Sequence, residues 1–196
     1  KKETFPTKAI EHSVPEWLVE ILEQELGSVW EIEVIALNEQ ASTILRANTL
    51  KISPKSLVDE LACENISAFT INGYPDAVQL EEKKNVFLTS AFKDGFFEVQ
   101  DASSQKIGRF LEVAEGQRVV DACAGAGGKT LHLSALMKNK GQIIALDIFE
   151  WKLAELKRRA KRAGAHNIET RLISDNKVIK RLHEKADRLL IDAPCS

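Results

Sequence analysis

Val119-Val120-Asp121-Ala122-Cys123-Ala124-Gly125-Ala126-Gly127-Gly128-Lys129-Thr130 is the stretch that decides the fold. Its apolar start reads as a strand ending at Asp121. Gly125, Gly127 and Gly128 then make a turn, and a helix opens near Lys129, carrying Leu131, Leu133, Leu136 and Met137. Strand, glycine turn and helix in this order bring backbone N–H groups against a nucleotide-like ligand in a parallel α/β sheet. Glycine suits the turn because it lacks Cβ and tolerates positive φ.

Three ligands fit the pattern to different degrees. The dinucleotide fingerprint G-x-G-x-x-G is met at Gly125 and Gly127, but Thr130 takes its third glycine position. The phosphate-binding loop G-x-x-x-x-G-K-[ST] is met at Gly128-Lys129-Thr130, but Cys123 stands at its first glycine. The third ligand is S-adenosylmethionine, which has no phosphates and needs close backbone approach more than an anion nest. An ordinary βα turn rich in glycine is the bland alternative.

Outward from the turn, residues 118–191 alternate regularly. Strands are expected at 118–122, 142–146, 168–173 and 188–191, with helices at 131–137, 149–163 and 178–183 between them. Such alternation implies right-handed crossovers and a Rossmann-like parallel sheet. Upstream, Asp101 caps a helix through Ile107, Phe110 and Leu111, and residues 92–100 read as a connector. Residues 41–89 read as a small α/β unit of the ferredoxin-like kind. It has a strand at 43–46, a helix capped by Ser53-Pro54, and short strands near Phe69, Val78 and Val86-Phe87-Leu88. This shape is often used to hold RNA, though the single tyrosine and the acidic charge argue against an aromatic stacking platform. Near the start, Ser13-Val14-Pro15-Glu16 has the form of a capping box before a packing helix that Gly27 stops. The expected organisation is a helical lead-in over 1–40, an accessory subdomain over 41–92 and a catalytic domain over 93–196.

Charge is uneven along the 196 residues. Residues 1–90 hold 8 Lys/Arg against 15 Asp/Glu, and residues 91–196 hold 19 against 14. That asymmetry is modest support for an anionic partner of the second half. Three scattered cysteines, Cys63, Cys123 and Cys195, suit neither a disulfide framework nor zinc, so a cytoplasmic protein without metal is expected. No apolar run approaches membrane-spanning length.

Several residues stand where chemistry is done. Asp147 ends the second strand about 20 residues past the glycines, where a carboxylate reaches ribose hydroxyls. Asp175 ends the third, where a turn meets an adenine. Both residues are equally placed to cap the next helix. The cations from Lys152 to Arg162 read first as a solvated helix face and second as a phosphate contact. Leu189-Leu190-Ile191-Asp192 is a strand ending in a carboxylate, and Cys195 follows in a loop at the ligand-binding end of the sheet.

Taken together these motifs resemble the RNA (cytosine-5) methyltransferases of the RsmB/Sun type. The likeness rests on residues 100–105 (Gln-Asp-Ala-Ser-Ser-Gln), 121–130, Ala145-Leu146-Asp147, 192–196 (Asp-Ala-Pro-Cys-Ser) and, upstream, 46–51 (Arg-Ala-Asn-Thr-Leu-Lys). Ala126 departs from the proline common there, and Lys152 from an arginine. The resemblance implies an S-adenosylmethionine-dependent methyltransferase sheet behind a small RNA-binding subdomain, with ribosomal RNA as substrate and tRNA as the alternative. It implies that Cys123, Ala124, Gly125, Ala126, Gly127, Gly128 and Lys129 hold the methionine part of the cofactor. Asp147 would bind the ribose, Asp175 would lie beside the adenine, and Asp192 would sit near methyl group and target base. Cys195 would serve product release, with Lys129 able to favour a thiolate. The attacking cysteine of the family lies in a later Thr-Cys motif, so this stretch is expected to bind cofactor without completing catalysis. A phosphate-loop NTPase and a non-catalytic binding fragment are the competing readings.

Overall fold

The computed structural model describes residues 5–193. The chain divides into two compact units, residues 1–41 and residues 42–196.

The first unit is helical, with α1 (Lys8–Glu11), α2 (Glu16–Leu26) and α3 (Trp30–Asn38). Trp30 and Val34 are buried. The Asn38 side chain donates to the His12 carbonyl at 2.7 Å, and the His12 ring meets Trp30 edge-on. Two expectations change here. Ser13 adopts a positive φ of 55° and does not cap α2, whose N-cap is Pro15 without a side-chain bond. None of the α2 residues is buried, so it is not the packing helix expected.

The second unit holds two four-stranded sheets. The first is built from β1 (Ile44–Ala47), α4 (Pro54–Cys63), β2 (Ala68–Thr70), β3 (Ala77–Leu80), α5 (Ser90–Lys93) and β4 (Phe97–Val99). Its order is β2-β3-β1-β4 with every pair antiparallel, the ferredoxin-like βαββαβ arrangement. The α4 cap falls where the sequence puts it: Ser53 Oγ accepts from the Ser56 amide at 3.1 Å. Leu45, Leu57, Leu61, Val78 and Phe97 are fully enclosed between sheet and helices. Residues 86–88 form a single 3₁₀ turn rather than a strand. An apolar triplet carries no period of its own, and Asn85 caps this one through the Phe87 amide. The stretch read as a connector supplies the edge strand β4, paired with β1 through Val99↔Leu45 and Phe97↔Ala47.

The second sheet follows α6 (Ala102–Phe110). It comprises β5 (Arg118–Asp121), α7 (Gly128–Leu136), β6 (Gln142–Asp147), α8 (Glu150–Ala163), β7 (Ile168–Leu172), α9 (Asn176–Lys180) and β8 (Arg188–Leu190). All pairs are parallel, in the order β7-β6-β5-β8. This is the Rossmann-like order, whose direction reverses between β5 and β8. Alternation along the strands sorts the core: Val119, Ile143 and Leu190 pack under Leu133 of α7 and Met137 just past its end, while Val120, Ile144 and Leu146 face the α9 side.

Buried polar groups knit the two sheets together. Asp76, 3% exposed, accepts from Arg109 Nε and Nη2, both at 2.7 Å, and from His132 Nε2 at 2.9 Å. Asn48 donates to the carbonyls of Gly95 and Ala163 at 2.8 and 2.7 Å, and Lys51 to those of Asp94 and Arg162. Gly95 is required here, at φ 71°, because a Cβ would lie 2.1 Å from the Arg162 carbonyl oxygen.

Candidate functional site

The switch in strand order leaves a crevice of about 440 Å³ at the carboxyl ends of β5, β6 and β8. It is lined by Cys123, Gly125, Asp147, Phe149, Lys152 and Asp192, with Ile148 and Ile173 as apolar wall. That volume falls in the range of about 300–1,000 Å³ usual for small-molecule sites.

The glycine turn forms one lip. The Ala124 amide donates to the Leu146 carbonyl at 2.8 Å, fixing the turn to the neighbouring strand, and the Gly127 amide closes back onto Ala124. Gly127 caps α7 in the left-handed region at φ 90°, and a Cβ there would lie 2.6 Å from Leu156 Cγ. A side chain is excluded on both counts. Gly125 also has positive φ, 55°, but a Cβ would meet nothing within 4 Å, so the backbone lies open on the crevice side.

Asp147 forms the other lip and is 7% exposed. One oxygen accepts from the Gly125 amide at 2.8 Å and the other from the Phe149 amide at 2.9 Å. It therefore steadies the start of α8 while remaining in the crevice lining. Two lone-pair directions stay available for hydroxyl groups. Asp192 stands at the mouth, ion-paired with Lys129 from the first turn of α7. Asp121, beneath the turn, is 1% exposed, and burial pushes its carboxyl up against the opposing bond from the Thr130 hydroxyl at 2.7 Å.

Of the expected residues, Cys123, Gly125, Asp147 and Asp192 line one crevice, with Lys129 against Asp192. Ala124, Ala126, Gly127 and Gly128 form the back of the turn. Asp175 is not in the lining: its carboxylate caps α9 through the Lys177 amide at 2.7 Å. Cys195 lies outside the described residues. Burial first, then the carboxylates of Asp121, Asp147 and Asp192, push the Cys123 thiol up, so it holds its proton. Lys129 is engaged by Asp192. Thr130 is wholly buried on Asp121, where a phosphate loop would need its hydroxyl free for magnesium. The described residues contain no group of three His, Cys, Asp or Glu placed to hold a metal ion, and no helix long and apolar enough to cross a membrane.

The cationic face of α8 also differs from the reading as a solvated surface. Lys157, Arg158 and Lys161 are exposed, but Arg159 and Arg162 fold onto Glu98 of β4 at 2.9 and 2.5 Å. Glu98 is 5% exposed. Sequence could have flagged it only through its place between Phe97 and Val99.

A ferredoxin-like sheet beside a Rossmann-like sheet with a glycine-lipped crevice defines a methyltransferase fold. A family profile described as 16S rRNA methyltransferase RsmB/F matches residues 109–196, and one described as the RsmF/B-like ferredoxin-like domain matches residues 14–87. The chain belongs to this RsmB/Sun family. It is 36% identical over 191 residues to the probable ribosomal RNA small subunit methyltransferase B of Bacillus subtilis, covering 96% of this chain and 42% of that protein. To ribosomal RNA small subunit methyltransferase B of Proteus mirabilis it is 31% identical, covering 99% of this chain and 46% of that one. The chain thus spans less than half the length of these curated relatives. Among solved structures, a methyltransferase homolog protein from Pyrococcus horikoshii superposes with a TM-score of 0.84 at 29% identity, over 96% of this chain and 62% of that one. NSun6 from the same organism shares the fold, with a TM-score of 0.81 at 21% identity over 92% of this chain and 71% of that one.

Proposed function

We propose that this chain forms the cofactor-binding part of an enzyme that methylates C5 of cytosine in RNA, with ribosomal RNA as the substrate. The observation that carries the reading is the meeting of Gly125, Asp147 and Asp192 around one crevice at the strand-order switch. The room beside Gly125 and the buried Asp147 carboxylate bonded to its amide suit a ligand with an adenosine diol and no phosphate. Bound there, S-adenosylmethionine supplies an electrophilic methyl group.

The chain's own residues bind and orient. Asp147 accepts from the ribose hydroxyls through the lone pairs its two amide bonds leave. Ile148, Phe149 and Ile173 give apolar walls for the adenine, and the backbone of residues 123–129 faces the methionine part. Asp175, three residues past β7, is spent on the cap of α9 outside the crevice lining, so no contact with the adenine is assigned to it. Asp192, held by Lys129, stands where the target base enters. Cytosine C5 becomes nucleophilic only when a thiolate adds to C6, which splits one hard step into easier ones. Burial and the neighbouring carboxylates push the Cys123 thiol up, which disfavours it as that thiolate. Cys195 is assigned to release of the methylated product. The curated relatives' names supply the ribosomal RNA; tRNA is the other candidate.

Calorimetry on the chain tests the reading. S-adenosylhomocysteine is expected to bind and Mg-ATP to give no heat. Mg-ATP binding without S-adenosylhomocysteine binding would replace the reading with a phosphate-loop NTPase, the alternative that buried Thr130 disfavours.

A further inference from the structure

The turn that forms one lip of the crevice is gripped from behind. Arg46 of β1 is 3% exposed and comes from the ferredoxin-like sheet. One of its guanidinium nitrogens donates to the Gly128 carbonyl at 2.5 Å and is also bonded to the Gln100 side chain. Arg159 of α8 donates through Nη1 to the Ala126 carbonyl at 2.8 Å, and through Nη2 to Glu98 of β4 at 2.9 Å. The carbonyls of Ala126 in the turn and Gly128 at the start of α7 thus point into guanidinium groups that the other sheet anchors.

A peptide plane has one N–H and one C=O on opposite sides. Drawing the Ala126 and Gly128 carbonyls backwards therefore turns the Gly127 and Lys129 amides away from the arginines, and the first of these closes the turn onto the Ala124 carbonyl. A turn that lines a ligand site serves it best when its shape is held before the ligand arrives. Glycine-rich backbone has the most freedom to lose on being held, so this turn gains most from external fixing. Neither arginine reaches the crevice lining.

We infer that Arg46 and Arg159 are positioning residues: through them the ferredoxin-like sheet fixes the cofactor turn, so that affinity for cofactor depends on a subdomain that does not touch it. The inference rests on the proposed cofactor site for its binding consequence, but the grip on the turn is testable without any ligand.

Arg159 and Arg162 provide a matched pair. Both hold Glu98, but only Arg159 also holds the turn. Lysine keeps the charge but lacks the fork that serves two acceptors at once. Arg159→Lys is expected to weaken S-adenosylhomocysteine binding about tenfold in calorimetry, the scale of one charge-assisted hydrogen bond, with the melting temperature of the chain little changed. Arg162→Lys is expected to leave affinity unchanged. In the ligand-free chain, amide exchange at Gly125 and Gly127 should quicken in Arg159→Lys and not in Arg162→Lys. Arg46→Lys should quicken it as well; because Arg46 is buried, that variant is judged only if it melts cooperatively. Equal effects of Arg159→Lys and Arg162→Lys on exchange would overturn the inference, as would no effect of either. Normal exchange differences with no S-adenosylhomocysteine binding by the parent chain would leave the grip standing and sink the cofactor reading.

Discussion

The junction between the two sheets and the crevice at the ends of the parallel strands both gather charged side chains, and they treat them oppositely. At the junction Arg46, Asp76, Glu98 and His132 are each 5% exposed or less, and each charge faces an opposite charge or a backbone carbonyl. In the crevice, carboxylates outnumber cations, Asp192 keeps 42% of its side chain exposed, and Asp147 spends its oxygens on amides while remaining in the lining. Burial with each charge paired fixes a framework. Partial satisfaction at an opening leaves capacity for a ligand. The number of charges in a region therefore says less about its task than how many hydrogen-bonding directions remain unused.

The largest effect expected from breaking this contrast is at the junction. Asp76→Ala removes three hydrogen bonds and leaves His132 buried without a partner. It should cost about 3 kcal/mol of stability by denaturant unfolding. A loss under about 0.5 kcal/mol, the usual scale of a surface change, would show that the cluster is incidental.

In the crevice the same deletion should be felt in binding instead. Asp147→Ala is expected to weaken S-adenosylhomocysteine binding by about 1–3 kcal/mol. Its counterpart Asp175→Ala should leave affinity intact and cost about 0.5–1 kcal/mol of stability through the lost cap. The two residues lie at or just past the ends of adjacent strands and look alike in sequence, so reversed outcomes would exchange their roles.

Acid sharpens the contrast more gently. Desolvation would raise the Asp76 carboxyl, but the bonds from His132 and Arg109 outweigh it and hold it well below the usual carboxylate range. Burial depresses His132, against the bond to Asp76. This fits a neutral ring donating from Nε2 while Nδ1, without a partner, faces Gly108. Both folded-state values lie below their unfolded ones, so the unfolded chain binds more protons. Stability is then fully present above the ordinary histidine range and falls as pH drops, first through the histidine window and then through the carboxylate one. Asp76→Ala should flatten the carboxylate part of a melting-temperature profile below about pH 4; an unchanged slope would remove Asp76 as its source.

Much of this was legible in the sequence because it is periodic or local. The glycine turn, the alternation of apolar strands with helices, and the Ser53 and Asp101 caps each depend on residues close in the chain. What escaped reading depends on partners far away. Arg46, Asn48 and Lys51 form one short motif whose targets lie between 43 and 115 residues further on. Glu98 looks like a polar break in a connector until Arg159 and Arg162 arrive beside it. Asp147 and Asp175 share a pattern, and only the fold brings Gly125 to the first of them.

The end of α8 carries a consequence for folding. A helix leaves its last carbonyls without partners of its own. Here Lys51 and Asn48 take those of Arg162 and Ala163, and Asn139 takes that of Gly164 at 2.9 Å. Two of these three donors belong to the chain just after β1, more than a hundred residues upstream. The last turn of this helix is completed only once the ferredoxin-like sheet is seated, and separating the sheets strips it again. Residues 42–196 should accordingly melt in a single cooperative transition, with the helix end acting as the rivet between the antiparallel and the parallel sheet.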